Sequence, residues 1–465
     1  MLPARNDRAG GPSRWPVATT ESGTRDAIDD PGDLLAPFLA SEKPRAAWRV
    51  GTEAEKFGMH ASGRPARFKG EIDVILQRLA ERHGWVPQQE HPDRPVIALS
   101  RGGANITLEP GGQLELSGAP VETIHATELE FGGHLAEVDA ASADLGLHWL
   151  GLGFHPLARQ ADLPWVPKLR YGVMRQYLPT RGRRALDMMR RTATVQANLD
   201  YSNADDAFRK LRVGLRLQPV VGALFANAPW YEGRATGHVS HRLEVWEDVD
   251  PDRTGLLTFL WEGPADYRRY VDWALDAPMF LIVRGGVAYH NTGQTFRAFL
   301  RDGFEGLRAT RQDWDTHLNT LFPDARLKRT LEMRGADGQQ RALVPAVPAL
   351  WKGLLYDEAT LAKAETLAST ITPEAALAAR HEIPRSGLRA RLGRRSVADW
   401  AGDVLELAEA GLARLGNLDA EGRDERRHLA PLRALLAAGK HPADVVREAA
   451  GDAPSAAALM THARA

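Results

Sequence analysis

The 465-residue sequence contains no cysteine, which excludes disulfide bonds, thiolate metal sites and covalent catalysis by a thiol. It also lacks any uninterrupted apolar run of roughly 18 residues, the length that a membrane-spanning helix needs. The apolar N-terminal stretch of a secretion signal is absent as well. Neither charge sign is in excess, because 59 Lys and Arg residues stand against 60 Asp and Glu residues. We expect a cytoplasmic monomer or homodimer that binds neither nucleic acid nor membrane.

Composition along the chain divides it into a body and two tails. Residues 1–30 hold few large apolar side chains among several Gly, Pro and Asp residues, so we predict a disordered tail there. No internal repeat or long Pro/Gly/Ser-rich linker interrupts residues 31–450. We interpret them as a single domain whose portion after Ala342 is mostly helical, and residues 451–465 as a tail of unknown role.

The periodicity of the apolar residues predicts an α+β fold, with a central, mostly antiparallel sheet flanked by helices. The turn signal Pro110-Gly111-Gly112 separates two short strands and favours antiparallel pairing between them. Helices are predicted at residues 70–83, 122–145 and 204–226. Strands are predicted at residues 48–59, 96–99, 106–109, 113–116, 147–153, 192–199, 279–284 and 325–334.

Acidic side chains are expected to converge on one face of the predicted sheet. Glu53 and Glu55 share a strand face because side chains alternate with a period of two. The same holds for Gln113 and Glu115, and Glu109 stands just before the turn that precedes them. Converging carboxylates need a cation or a proton among them, and Mg²⁺ prefers oxygen ligands. A solvated strand face is the simpler explanation of any one pair, so the pairs alone leave a magnesium site open.

The predicted strand 325–334 has one charged and one apolar face. Its even positions carry Arg326, Lys328, Glu332 and Arg334, and its odd positions carry Leu327, Leu331 and Met333. The charged face would neutralise charge on a transferring phosphoryl group. An exposed ladder of Arg and Glu on an edge strand explains the same alternation, and both interpretations stay open.

Other polar residues extend this pattern. Gln196 and Asn198 share a strand face that either meets water or lines a pocket. Arg170 and Arg175, on either side of Tyr171, suit the capture of a carboxylate or a phosphate. The histidine spacing of zinc proteases and the GxxxxGK[ST] phosphate loop are both absent from the sequence. Any nucleotide site must therefore be built from a sheet, metal ions and basic side chains.

Eight segments carry a more specific signal than these patterns. They read GTEAEKFG at 51–58, LEPGGQLELSGAP at 108–120, LDMM at 186–189, TATVQANLD at 192–200, ALFAN at 223–227, YVDWALD at 270–276, FPDARLKR at 322–329 and LEMRGADG at 331–338. In content and order they resemble the plant-type glutamate-cysteine ligases, a family also found in bacteria, and the resemblance covers roughly residues 45–440. It implies a glutamine synthetase-like carboxylate-amine ligase fold, in which the predicted domain is the catalytic one.

The resemblance also implies an ATP-dependent reaction in two steps, the first reaction of glutathione biosynthesis. The γ-carboxylate of L-glutamate attacks the γ-phosphate of ATP, and the amine of L-cysteine then displaces phosphate from the resulting γ-glutamyl phosphate. Mg²⁺ is the implied cofactor. Its implied ligands are the carboxylates Glu53, Glu55, Glu109, Glu115 and Glu332.

The remaining site residues are likewise implied by the resemblance. Stabilisation of the transferring phosphoryl group falls to Arg334, Arg326 and Lys328. Contacts with the nucleotide or metal fall to Gln196, Asn198 and Lys328. Contacts with the amino-acid substrates fall to Arg170, Met174, Arg242, Trp246 and Tyr270.

Three positions depart from the family pattern. Ala54 replaces the usual His on the strand face opposite Glu53 and Glu55, which predicts little effect on catalysis. His241, in place of Met, and Trp273, in place of Tyr, leave open a ligase that joins glutamate to a different amine in a specialised pathway. A third interpretation, a non-catalytic sheet protein, requires acidic, polar and cationic strands to coincide by chance.

Overall fold

The computed structural model describes residues 27–284 and 287–465. At its centre lies a nine-stranded sheet. Its strands are β1 (Val50–His60), β2 (Val86–Gln88), β3 (Ala98–Arg101), β4 (Ala104–Leu108), β5 (Leu114–Ser117), β6 (Leu147–Leu150), β7 (Thr194–Leu199), β8 (Ala325–Leu327) and β9 (Leu331–Asp337). The order across the sheet is β8-β9-β7-β1-β5-β4-β3-β2, and β6 pairs with the second half of β1. Neighbouring strands are antiparallel throughout, which confirms the predicted sheet type.

Helices surround this sheet, as predicted for an α+β fold. They are α1 (Ala36–Leu39), α2 (Asp73–His83), α3 (Ile124–Ser142), α4 (Leu169–Tyr177), α5 (Ala185–Arg191), α6 (Ala204–Leu224), α7 (His241–Val245), α8 (Tyr267–Asp276), α9 (Phe296–Asp302), α10 (Arg311–Leu318), α11 (Ala346–Leu355), α12 (Glu358–Ser369), α13 (Pro373–Ser386), α14 (Val397–Leu415), α15 (Ala430–Ala437), α16 (Pro442–Ala450) and α17 (Ala456–His462). Short ribbons pair Trp230–Tyr231 with Arg234–Ala235, Thr254–Gly255 with Phe322–Pro323, Ile282–Arg284 with Val287–Tyr289, and Arg391–Leu392 with Arg395–Ser396.

The prediction of one continuous strand at 325–334 is wrong, because β8 and β9 form a hairpin. The turn consists of Lys328, Arg329 and Thr330, which include neither Gly nor Pro and so give no turn signal in the sequence. Arg326 lies opposite Glu332 across the hairpin. Because the turn has three residues, two residues that face each other across the hairpin are either both even-numbered or both odd-numbered. The even-numbered side chains of both strands therefore still share one face.

The predicted C-terminal tail, residues 451–465, is instead part of the packed body. Leu459 of α17 has 0% exposure, and so has Ala463. The Gly151 N–H donates to the Ala463 carbonyl at 3.0 Å, and the Ala465 N–H donates to the Trp149 carbonyl at 2.9 Å. The last residues therefore continue the sheet edge at β6. The predicted tail at 1–30 lies outside the described residues except for 27–30.

One face of the sheet is apolar and faces helices. Val195, Ala197 and Leu199 of β7 point to this face and are fully buried. α6 and α11 pack against β9 and β7, and α14 packs against α11. Burial of these side chains away from water is the main stabilising contribution at this face. Because side chains alternate along each strand, the polar side chains of the same strands point to the opposite face.

Close contact between α11 and α14 depends on two glycines. A Cβ at Gly411 would lie 1.9 Å from the Gly353 carbonyl oxygen, whereas a Cβ at Gly402 on the same helix meets no atom within 4 Å. Gly411→Ala must push the helices apart, so we expect it to lower the free energy of unfolding by about 1–3 kcal/mol. Gly402→Ala is the matched control and should raise it by up to about 1 kcal/mol, because Ala favours helix. Urea denaturation measures both, and equal stability of Gly411→Ala and wild type would contradict the contact.

Candidate active site

Neighbouring strands bring acidic residues from distant parts of the chain onto the polar face of the sheet. β1 places Glu53 opposite Gln196 of β7 and Glu55 opposite Glu115 of β5. Glu109 follows β4 and precedes the turn into β5. The convergence predicted from strand alternation therefore occurs. We call Glu53, Glu55, Glu109 and Glu115 the acidic group.

The acidic group is short of positive charge. Within the described part of the chain, none of its four carboxylates forms an ion pair. Burial, together with the charges of Glu332 and Glu115, raises the pKa of Glu53 to about 8. Burial and the nearby carboxylates Glu109 and Glu115 raise the pKa of Glu55 well above its usual range. Burial and Glu115 also raise the pKa of Glu109. These shifts mean that the group favours a proton or a cation.

The β8–β9 hairpin supplies a basic group, Arg326, Lys328 and Arg334, held around the buried Glu332. Glu332 accepts two hydrogen bonds from Arg326, at 2.7 and 2.9 Å, and one from Arg334 at 2.5 Å, and Lys328 Nζ lies 3.3 Å away. Burial alone would raise the pKa of Glu332, but the three cations hold it well below its usual range. Because both of its oxygens are occupied, the predicted role of Glu332 as a metal ligand requires one of these contacts to open.

Uncharged side chains of β7 lie between the two groups. Asn198 Nδ2 donates to Glu53 at 2.8 Å, and its Oδ1 accepts from Thr330 at 3.1 Å. Gln196 Oε1 accepts from Arg334 at 2.8 Å. Since β7 separates β1 from β9, these amides contact both the acidic and the basic group.

A cavity of about 440 Å³, the main cleft, opens over this face. Its wall contains the predicted residues Glu53, Glu55, Glu109, Glu115, Arg170, Gln196, Arg326, Lys328, Glu332 and Arg334. Asn198 lines an adjoining cavity together with Glu53 and Lys328. The structure thus brings together every residue that was predicted to contact metal or nucleotide.

A narrower cavity of about 100 Å³, the inner pocket, shares walls with the main cleft and contains Arg170, Met174, Arg242 and Trp246. Arg242 is 4% exposed, and its guanidinium lies 3.5 Å from Asp337 and donates to the Arg334 carbonyl at 3.0 Å. The Arg170 guanidinium lies 5.2 Å from the centre of the Tyr171 ring. Two guanidinium groups in a small pocket, the buried one of Arg242 and the exposed one of Arg170, suit an amino-acid carboxylate.

Tyr270 does not line these cavities, which corrects its prediction as a substrate contact. It is fully buried behind β8, and its hydroxyl accepts from the Leu327 N–H at 3.2 Å. Trp273 packs edge-on against Tyr270, with ring centres 5.3 Å apart. Arg175, a second predicted clamp, stacks on Trp165 at 4.8 Å. Tyr270 therefore supports the hairpin from behind, and the replacement at Trp273 leaves the cavity walls unchanged.

His241 also lies away from the cleft. Its ring packs edge-on against Phe154 and Tyr231, with centres 4.8 and 4.9 Å away, and contacts Arg184 Nη2 at 2.7 Å. Burial lowers the pKa of His241 to about 3, and the positive charge of Arg184 contributes to this shift, so the imidazole is neutral. The two replacements that left a different acceptor amine open thus contact packing residues instead of substrate.

Some residues that line the main cleft and the inner pocket were not predicted from the sequence. Thr107 and Ser117 donate to Glu115 at 2.9 and 2.6 Å, and Asn319 lines both the main cleft and the inner pocket. Ser117 follows Glu115 at the strand period, so alternation alone could have found it. Asn319 and Phe322 lie in the segment after α10 and line the main cleft. No local sequence pattern predicts that this segment reaches the site.

The acidic group fits Mg²⁺ by its chemistry but is not a finished metal cage. In residues 27–284 and 287–465 no three Asp, Glu, His or Cys side chains form a group that could hold a metal ion. Mg²⁺ is commonly held by one or two carboxylates, with phosphate and water oxygens completing its coordination. A donor set made only of oxygens, in which Glu53, Glu55 and Glu109 have raised pKa values, fits that mode of binding.

The antiparallel sheet, with carboxylates and guanidinium groups over one cleft, agrees with the predicted glutamine synthetase-like carboxylate-amine ligase fold. A similar solved structure is the glutamate-cysteine ligase of Francisella tularensis in complex with AMP, with a TM-score of 0.55 over 90% of this chain and 87% of the other at 12% identity. The chain belongs to glutamate-cysteine ligase family 2 (GCS2), whose profile matches residues 49–462.

Plant enzymes are among its relatives. The chloroplastic glutamate-cysteine ligase of Brassica juncea is 43% identical over 412 residues, which cover 88% of this chain and 78% of the relative. The chloroplastic glutamate-cysteine ligase B of Oryza sativa subsp. japonica is 41% identical over 440 residues, covering 94% and 86%. These matches confirm the family resemblance.

The chloroplastic relatives contradict the predicted cytoplasmic location. That prediction was wrong because it relied on missing cysteines and a missing apolar signal. Transit peptides are amphipathic and rich in Arg and Ser, so the absence of an apolar signal does not distinguish the cytosol from a plastid. In the described ranges, no helix combines the length and apolarity needed to cross a bilayer.

The raised pKa of Glu53 predicts a pH-dependent stability of the protein without metal or nucleotide. Glu53 titrates near 4.5 in the unfolded chain and at about 8 in the folded protein, so its stabilising contribution is complete below 4.5 and is lost as pH rises to 8. Glu53→Gln keeps the acceptor for Asn198 and removes this loss. The variant should exceed wild type at pH 8 by about 1–3 kcal/mol, with a smaller difference near pH 5.

Urea denaturation in a chelating buffer at both pH values measures this difference. Glu406→Gln is the control, because Glu406 is an exposed carboxylate on α14. Wild type and Glu53→Gln with equal stability at pH 8 would show that burial does not disfavour the Glu53 charge.

Proposed function

We propose that the protein joins the γ-carboxylate of L-glutamate to the amine of L-cysteine with cleavage of ATP, the first step of glutathione biosynthesis. One observation carries this proposal: an acidic group and a basic group share a single cleft without neutralising each other. Transfer of a phosphoryl group between two anions needs both, because cations stabilise the phosphoryl oxygens and carboxylates hold divalent metal ions. The names of the relatives support the choice of reaction.

In the first step the glutamate γ-carboxylate oxygen attacks the γ-phosphorus of ATP, and the bond to the β-phosphate oxygen breaks. Arg334, Arg326 and Lys328 stabilise the charge on the transferring group, while Gln196 and Asn198 contact the nucleotide or its metal. Glu332 positions these cations through its hydrogen bonds to Arg326 and Arg334. The acidic group would hold Mg²⁺, which would supply further charge neutralisation to the phosphate oxygens.

The inner pocket orients glutamate for this attack. Arg170 and Arg242 hold its α-carboxylate end, and Met174 packs against its methylenes. In the second step the cysteine nitrogen attacks the γ-carbonyl carbon, and the bond to the phosphate oxygen breaks. Trp246, which lines the inner pocket beside Arg242, shields the acyl phosphate from water. Cysteine remains the proposed acceptor, since His241 and Trp273 pack away from the cleft.

ADP release tests the reaction directly. With Mg²⁺ and ATP, purified protein should release ADP only when glutamate is present, and cysteine should accelerate release more than other amines. Excess chelator should abolish release, because the acidic group cannot align the phosphates without a divalent ion. Equal ADP release with and without glutamate would contradict the proposal.

Removal of the central cation tests the site. Arg334→Ala should lower kcat by about 10²- to 10³-fold, because it removes a fixed charge from the transferring phosphoryl group. Arg433→Ala is the matched control, since it breaks only an exposed ion pair with Glu409. Thermal unfolding establishes that both variants are folded. Unchanged kcat in folded Arg334→Ala would remove the hairpin from the mechanism.

A further inference from the structure

A third cavity lies beside the inner pocket and is used by no step proposed above. This side pocket, of about 50 Å³, is formed by Gln218 and Gly222 of α6, Leu243, Asp324 and Arg380. It shares the walls Arg242, Trp246, Phe322 and Arg334 with the inner pocket. It therefore borders the place where the acyl phosphate would form.

Buried polar atoms at the side pocket have no partner. Gln218 is 3% exposed, yet neither its Oε1 nor its Nε2 makes a hydrogen bond within the described structure. The same is true of Trp246 Nε1 and Arg242 Nε. Buried polar atoms are nearly always paired, and each unpaired one costs about 1–3 kcal/mol. The Gln218 carboxamide is therefore available to a group that can both donate and accept a hydrogen bond.

The charged residues of the side pocket neutralise one another. Arg380 pairs with Asp324 at 3.1 Å, Arg242 lies 3.5 Å from Asp337, and Arg334 pairs with Glu332 at 2.5 Å. Phe322, Leu243 and Ile383 supply apolar surface. The side pocket therefore favours an uncharged group, because each of its three guanidinium groups already faces a carboxylate of the protein.

The volume limits the size of that group. One water-sized atom needs about 10–15 Å³, so a pocket of about 50 Å³ holds roughly three to five atoms. An entire amino acid does not fit, whereas a side chain of two heavy atoms does. A thiol is a weak donor and a weak acceptor, and it matches both ends of a carboxamide.

We propose that the side pocket receives the side chain of the acceptor amino acid and that the Gln218 carboxamide contacts its thiol. The amine of the acceptor then remains in the inner pocket, next to Arg242 and Arg334. This inference rests on the proposed ligase reaction. It makes Gln218 a specificity-determining residue, while the volume left open by Gly222 sets the permitted length of the side chain.

Two substitutions separate size from hydrogen bonding. A Cβ at Gly222 would lie 3.3 Å from a Leu243 methyl, so Gly222→Ala narrows the pocket and requires the Leu243 side chain to shift by a few tenths of an ångström. It should raise KM for cysteine and for 2-aminobutyrate, which has the same size, by about tenfold each. Gln218→Met keeps length and removes the amide. It should raise KM for cysteine by about three- to tenfold and leave that for 2-aminobutyrate unchanged.

Gly402→Ala is the matched control for Gly222→Ala, since it is a helical Gly→Ala change with open space around it. Steady-state kinetics of all variants should show unaltered KM for glutamate and ATP. Glutamate-dependent ADP release without acceptor should also match wild type, because the first step does not use the side pocket.

The outcomes distinguish this inference from the proposed function. Wild type without glutamate-dependent ADP release would overturn the ligase proposal itself. Active wild type, with KM for both acceptors unchanged in Gly222→Ala and Gln218→Met, would overturn the side-pocket assignment and identify a water-filled cavity. Equal increases in the KM values of glutamate and acceptor would overturn it too, by indicating a general distortion of the inner pocket.

Discussion

The site depends on keeping opposite charges apart on one sheet face. Four carboxylates lie on and beside β1 and β5, and three cations lie on the β8–β9 hairpin, within reach of one cleft. Direct pairing between the two sets would leave neither a metal site nor a phosphate site. β7 prevents this pairing, because its Gln196 and Asn198 are uncharged and hydrogen-bond to both sides. Glu332 completes the separation, because it forms ion pairs with Arg326 and Arg334 itself.

The rest of the fold supports that arrangement. Carboxylates without cations are costly to bury, as the raised pKa values of Glu53, Glu55 and Glu109 indicate. The apolar face of the same strands offsets this cost through its packing on α6 and α11. Close packing of α14 on α11 at Gly353 and Gly411 extends the apolar layer outwards. The sheet is therefore stabilised on one face and electrostatically strained on the other.

Much of the fold and of the main cleft could be predicted from local patterns. Alternation placed Glu53 and Glu55 on one face, and the glycine turn at 111–112 predicted the pairing of β4 with β5. The alternation of charged and apolar residues at 326–334 predicts the correct face, although these residues form a hairpin and not one continuous strand. Tyr270 and the C-terminal tail were predicted wrongly, because their contacts join segments far apart in the chain and leave no periodic signal.

Local sequence patterns suffice to predict which side chains share a strand face, which segments form strands or helices, and the family. These are local properties, set by a period of two or 3.6 residues and by the residue types at turns. Which strands are neighbours depends on long-range pairing in the folded protein, and so does the position of β7, whose uncharged side chains separate the acidic group from the basic group. The positions of Tyr270 and His241 away from the cleft, and the lack of a hydrogen-bond partner for Gln218 within the described residues, also follow from the tertiary structure. The physical reason is that burial depends on elements that meet only after folding.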